Sequence, residues 1–81
     1  MSFHYVYILE SVLKPDHFYV GMTEDLHTRL RKHNAGEVPH TSKCKPWVIK
    51  TAGAFRDLDR ACAFERYLKS GSGRAFARKH F

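Results

Sequence analysis

Hydrophobic and polar positions alternate from Phe3 to Glu10 (FHYVYILE), with Tyr5, Tyr7 and Leu9 on one face and Val6 and Ile8 on the other. β-Branched and aromatic residues at this period predict a strand, and bulky residues on both faces predict a central strand covered on each side. Lys14-Pro15-Asp16 breaks the chain, and Phe18 to Met22 predicts a second strand. The two strands make a hairpin that brings Tyr7 and Tyr19 near each other across the ladder. From Glu24 to Asn34 the pattern becomes helical: Leu26, Arg29, Leu30 and His33 fall on one face, while Thr28, Arg31 and Lys32 lie on the far side. Thr23 is the expected N-cap, Glu24 and Asp25 supply first-turn negative charge, and Gly36 or Asn34 is available for a left-handed ending. A surface helix ordinarily keeps an arginine off its apolar stripe. Arg29 and His33 are therefore expected to point inward, towards the strand that carries Tyr19.

Residues Glu37 to Pro46 (EVPHTSKCKP) read as a loop carrying His40, Lys43 and Lys45, either a solvated connector or a segment that contacts substrate. Trp47 to Gly53 predicts a third strand. A second helix is expected from Asp57, as N-cap, to Ser70, with Gly71 as its stop. Its apolar stripe is Leu58, Ala61, Cys62 and Leu68, and Glu65 sits within that stripe. An uncompensated buried carboxylate is costly, so Glu65 needs a cationic partner, a metal or an opening to water. On the residues alone, an ion pair and a metal site both stay open. From Ser72 the tail reads as a short capped helix anchored by Phe76, with Arg74, Arg78 and Lys79 making it basic. The pattern as a whole predicts one α/β (α+β) domain over residues 1–81, a small three-stranded antiparallel sheet flanked by helices.

Charge adds a partner to this picture. Fourteen Lys and Arg against eight Asp and Glu leave a net charge of +6, while 43% of the residues are hydrophobic. That combination describes a folded domain with a polyanionic partner, nucleic acid first, rather than a disordered basic tail. No apolar run approaches the ~20 residues of a spanning helix, and the first residues lack a signal-peptide layout, so a soluble, cytoplasmic protein is expected. Cys44 and Cys62 are too few for a disulfide framework and lack zinc-knuckle spacing; they read as a loop thiol and a buried helix thiol. A domain this small has a limited core, consistent with a monomer or a weak homodimer.

Tyr19-Val20-Gly21, followed ten residues after its tyrosine by Arg29 and four later by His33, resembles the GIY-YIG nuclease family. Tyr5-Val6-Tyr7 would be the other half of the signature, with Tyr5 in place of the glycine. The YVYIL opening, the short length and the ending LKSGSGRAF are most similar to the small single-domain bacterial members of uncharacterised type. The resemblance covers essentially the whole chain. It implies a GIY-YIG fold, catalytic roles for Tyr7, Tyr19, Arg29 and His33, and a metal-binding role for Glu65, whose helix also carries a lysine, Lys69, in the family's place. The family's later active-site asparagine has no match in the tail.

Phosphodiester hydrolysis needs an activated water, stabilised charge on the phosphate and help for the leaving oxygen. Under the resemblance Glu65 would hold one Mg²⁺ or Mn²⁺, Arg29 would pair with a non-bridging oxygen, and Tyr7 or Tyr19 would activate the water, with His33 relaying the proton. A free phenol titrates near ~10, so the neighbouring cations are expected to lower it. His40, Lys43, Lys45, Lys69 and Arg74 are the candidate contacts to nucleic acid, DNA ahead of RNA. The expected activity is a metal-dependent endonuclease of low sequence specificity, in DNA repair or processing, with a preference for single-stranded or branched substrates. The alternative is a nucleic-acid-binding module that keeps the fold without turnover. A protein–protein adaptor is the third class, and it leaves the inward polar set without a purpose.

Overall fold

The computed structural model describes residues 2–81 as seven elements in chain order. These are β1 (His4–Ser11), β2 (Phe18–Thr23), α1 (Leu26–Asn34), a short 3₁₀ turn (Ser42–Cys44), β3 (Trp47–Phe55), α2 (Leu58–Lys69) and α3 (Gly71–His80). The strands form one antiparallel sheet in the order β2-β1-β3, so β1 is central as its two-sided hydrophobicity predicts. The α+β class and the three-stranded sheet agree with the expectation.

Each face of β1 feeds a separate core. Val6 and Ile8 pack with Ala61 and Leu68 of α2, joined by Phe64 and, from α3, Phe76. Tyr7 and Leu9 pack on the opposite face with Trp47, Tyr19 and the α1 leucines, Leu26 and Leu30. α1 therefore covers one side of the sheet, and α2 with α3 covers the other. In the register, Tyr7 faces Gly21 and Leu9 faces Tyr19, so the two tyrosines meet diagonally rather than directly across the ladder.

Four local details differ from the sequence reading. α1 starts at Leu26 because Asp25, not Thr23, is the N-cap; its side chain accepts the Thr28 N–H at 3.1 Å. Thr23 Oγ1 instead accepts the Asp25 N–H at 3.2 Å, closing a turn one step earlier, so no acid remains in the first turn. Asp57 caps α2 as expected, but Gly71 is not its stop. Ser70 ends α2 and also caps α3, accepting the Gly73 N–H at 3.1 Å, so the last helix begins a residue earlier than the tail pattern suggests. Gly73 is a steric requirement of that corner, since a Cβ there would overlap the Tyr67 carbonyl. Leu58, assigned to the buried stripe of α2, is the first residue of that helix and is 48% exposed. Cys62 is half-buried like Cys44, and both thiols are free.

The ends of α1 and the following loop are tied to β3 by side chains. Gly36 takes φ +78, the left-handed ending that glycine allows. Asn34 then pairs with Trp47 in both directions, accepting its N–H at 2.6 Å and donating to its carbonyl at 3.1 Å. Trp47 Nε1 donates to the Thr41 carbonyl at 2.9 Å. These three bonds fix the loop against the C-terminal turn of α1, which carries His33. Among the described residues no helix is long and apolar enough to cross a membrane.

Candidate active site

Four of the expected residues converge. Tyr7 comes from β1, Tyr19 from β2, and Arg29 and His33 from the inward stripe of α1. His33 is fully buried and Tyr7 is 2% exposed, while Tyr19 and Arg29 are half-buried at the rim. The Tyr7 hydroxyl lies 3.1 Å from His33 Nε2 and receives the Arg29 Nε–H at 3.4 Å. The Tyr19 ring packs against His33 at 5.0 Å between centroids and against Tyr7 at 6.4 Å.

Gly21 makes this convergence possible. It stands opposite Tyr7 in the ladder, and a Cβ there would strike the Tyr7 ring and crowd Tyr19. The glycine of the Tyr-Val-Gly motif is therefore the floor over which the Tyr7 phenol passes, a close approach that only a residue without a side chain permits.

Donor counting assigns the direction of the hydrogen bonds. Thr41 Oγ1 donates its one proton to the Val38 carbonyl at 3.2 Å, so it accepts from His33 Nδ1, 2.8 Å away. The imidazole thus carries its proton on Nδ1 and offers Nε2 as the acceptor for the Tyr7 O–H. Tyr7 in turn accepts from Arg29. The result is a directed chain from Arg29 through Tyr7, His33 and Thr41 to a backbone carbonyl, with no buried side-chain polar atom left without a partner among the described residues.

Electrostatics agree with that assignment and correct one expectation. Burial first, and the Arg29 charge second, lower the His33 pKa, which keeps the ring neutral. Burial also raises the Tyr7 phenol, and the Arg29 hydrogen bond and charge only partly oppose it. Neighbouring cations thus do not lower Tyr7 overall, because desolvation of a nearly sealed phenol outweighs one guanidinium. Tyr7 keeps its proton in the resting protein. Arg29 itself is raised, mainly by its bond to Tyr7.

Glu65 lies on the other side of the sheet from this cluster. It sits on α2, which packs on the face opposite α1, yet its charge is among the causes that raise Tyr7. Its side chain is 22% exposed, and its one hydrogen bond among the described residues is a 3.5 Å contact with Lys69, an i,i+4 pair on the same helix. Glu65 thus has a cationic partner and an opening to water. Such a donor set fits Mg²⁺ or Mn²⁺, which bind through one or two carboxylates and keep their waters; it does not fit zinc, which wants a closed set of nitrogen and sulfur ligands. Among the described residues no three His, Cys, Asp or Glu side chains are grouped as a metal cage.

The remaining candidates divide between two places. Lys69 and Arg74 line a groove on the α2/α3 side of the sheet. His40, Lys43 and Lys45 are exposed on the loop after α1. The loop residue that enters the cluster is Thr41, 1% exposed, which the sequence reading passed over in favour of its charged neighbours. An uncharged hydroxyl between His40 and Ser42 carries no periodicity to mark it; the one available signal is its place in a fixed-length loop that must return from α1 to Trp47.

A sheet with a tyrosine from each strand of its hairpin, joined by an arginine and a histidine from the first helix, defines a GIY-YIG domain. A model of the GIY-YIG catalytic domain matches residues 3–79, and the chain belongs to that family. Within the family it is of the UPF0213 type. It is 49% identical over 70 residues to a UPF0213 protein of Haloquadratum walsbyi, covering 85% of this chain and 76% of that protein. It is 35% identical over 72 residues to a UPF0213 protein of Halalkalibacterium halodurans, covering 88% of this chain and 74% of that protein. A third relative is the structure-specific endonuclease subunit SLX1 of Candida dubliniensis, 43% identical over 75 residues that make up 84% of this chain and 26% of that protein. The chain therefore spans about a quarter of the length of that relative.

Proposed function

We propose that the protein is an endonuclease that hydrolyses phosphodiester bonds in nucleic acid, DNA before RNA, with Mg²⁺ or Mn²⁺ held at Glu65. The observation that carries the reading is the directed chain Arg29–Tyr7–His33–Thr41, which gives a phenol a proton acceptor behind it and a cation beside it. A binding domain has no need of a buried proton acceptor. The GIY-YIG family and the SLX1 relative, a structure-specific endonuclease subunit, support the same activity class.

In the hydrolysis, water attacks phosphorus, a new P–O bond forms and the bond to the 3′ oxygen breaks. Tyr7 is the general base: its oxygen takes the water proton as its own proton passes to His33 Nε2, which Nδ1–H and Thr41 hold in the accepting tautomer. The contact with His33 favours Tyr7 over Tyr19 for this role, since of the two only Tyr7 has Nε2 within hydrogen-bond reach. Arg29 spends its Nε–H on Tyr7 and retains its terminal donors for a non-bridging phosphate oxygen. Tyr19 closes the rim beside the imidazole. Glu65 would hold a divalent ion, which when bound would supply Lewis-acid charge to the phosphate and the leaving oxygen. The leaving oxygen takes its proton from solvent, and the imidazolium returns its proton through Tyr7.

The competing reading, a binding module without turnover, is favoured by the tail, where no residue matches the family's active-site asparagine. Labelled DNA incubated with Mg²⁺, Mn²⁺ or chelator separates the two. The nuclease cuts only with metal, Glu65→Ala abolishes cutting while salt-sensitive binding persists, and Arg29→Ala slows cutting by at least ~100-fold. Absence of cutting by every preparation, or equal cutting by wild type and both variants, overturns the assignment. The cytoplasm is the proposed setting, and a monomer or weak homodimer the proposed state.

A further inference from the structure

A groove of about 790 Å³ lies apart from the tyrosine cluster. It lies where the hairpin end of the sheet meets the end of α2 and the length of α3. Its floor is apolar, from Ile8, Val20 and Leu68, and its walls carry Lys50, Lys69, Arg74 and Arg78 against one acid, Asp16. Tyr19 lines it at the sheet edge and also packs in the cluster on the sheet's other face, so the two are linked through that edge strand.

Two features of its mouth are unusual. Phe18, at the start of β2, is 49% exposed although it belongs to the sheet face that packs under the helices. Lys50 reaches across to it, its Nζ 4.8 Å from the ring centroid. That reach comes from a β-bulge: Ile8 pairs with Thr51 and Leu9 with Ile49, which leaves Lys50 as the extra residue of β3. An exposed ring whose face is held by an ammonium, beside three further cations and an apolar floor, is a surface for alternating apolar and anionic groups. Unpaired nucleotides have that alternation, with flat bases and a phosphate at each step; a duplex hides its base faces.

We propose that this groove binds an unpaired strand of nucleic acid leading to or from the scissile phosphate. A base stacks on Phe18 in the place Lys50 now holds, and Lys50 moves onto the adjoining phosphate. Arg74 and Arg78 follow the backbone along α3, and Lys69, which pairs with Glu65, meets it at the end of α2. The proposal rests on the nuclease reading for what happens next to the groove, but the binding it predicts does not require turnover.

The test is fluorescence anisotropy in chelator, where no cutting occurs, with three labelled probes: dT12, rU12 and a 12-base-pair DNA duplex. The protein is expected to bind the single strands more tightly than the duplex. Phe18→Ala weakens single-strand binding by roughly 5- to 100-fold, the range for losing one stacked base, and leaves duplex binding within about 2-fold. Phe18→Trp restores it, and Lys50→Ala lowers it and flattens its salt dependence. Lys32→Ala, on the far side of the molecule, leaves it unchanged. Equal losses for single strand and duplex, or no loss in Phe18→Ala with a wild-type thermal melt, overturn the proposal. The dT12 and rU12 arms decide which nucleic acid is held. A protein that shows the Phe18 effect yet never cuts with metal keeps the groove and loses the nuclease reading.

Discussion

The Tyr7 hydroxyl and His33 Nε2 stand 3.1 Å apart, joining the middle strand of the sheet to the last turn of α1. The contact is completely enclosed, and Thr41 fixes its direction from behind.

Tyr7→Phe removes the proton that passes along this contact and the oxygen that Arg29 grips. Cleavage is expected to fall at least ~100-fold, the usual scale of general-base loss. His33 Nε2 is left buried without a partner, which costs roughly 1–3 kcal/mol. Measured rates with a parallel urea melt check both numbers; near-wild-type cutting would move the base elsewhere, to Tyr19 in the first instance.

The pH profile should have an acid limb set by His33. Its folded pKa lies below the ordinary value of about 6.5, so the neutral, accepting ring persists below that pH and cleavage falls only when the ring takes a proton. The sign for stability follows: the unfolded chain binds the proton first, so the contribution of neutral His33 is complete above the unfolded value and is lost as the pH falls towards the folded one. Urea midpoints between pH 7 and pH 5 in wild type and His33→Gln test this; parallel curves would show that the ring does not titrate differently on folding.

Thr41→Val keeps the shape of the loop residue and removes the acceptor for His33 Nδ1–H. The imidazole then loses its preferred tautomer, and cleavage should drop by about 10- to 100-fold, as for other partners that orient a histidine. Thr41→Ser, which keeps the hydroxyl, should recover most of the rate. Nitrogen-15 NMR of the ring reads the tautomer directly, so a role in loop packing alone would leave that spectrum unchanged.

Gly21→Ala places a methyl group where the Tyr7 phenol passes. The ring must shift, breaking its alignment with His33 and Arg29, at a cost of about 1–3 kcal/mol in stability. Activity should fall further than stability does. A variant that melts and cuts like wild type would show that the sheet edge can yield without moving Tyr7.

The α1 stripe was legible because a helix period assigns a face to every residue in it. Leu26 and Leu30 identify the buried side, and Arg29 and His33 share it. β1 was legible for the same reason at the strand period. Thr23 was misread because two capping residues, separated only by Glu24, compete for one helix start, and geometry gives the place to Asp25. Leu58 satisfied the stripe of α2 but opens the helix and stays half exposed, and a period alone does not tell a helix's end from its middle. Thr41, Lys50 and Phe18 lie where no period applies: a loop, a bulge and a strand end. Their roles come from the folded arrangement, in which the distance between separate elements matters and the spacing within one does not.

The strand order β2-β1-β3 has a consequence for how the protein comes into being. β1, made before β2 and β3, occupies the centre of the sheet, and one of its two edges waits for Trp47–Phe55, in the second half of the sequence. Tyr7, Tyr19, Arg29 and His33 are all synthesised before that partner, and Glu65 after it. A nascent chain therefore holds most of the chemistry without the sheet that aligns it, and loop closure over this separation slows the assembly. A shortened chain ending after α1 has a hairpin and a helix with one bare sheet edge and one uncovered face, too little to stand alone in water. The catalytic geometry exists only once the last strand has docked.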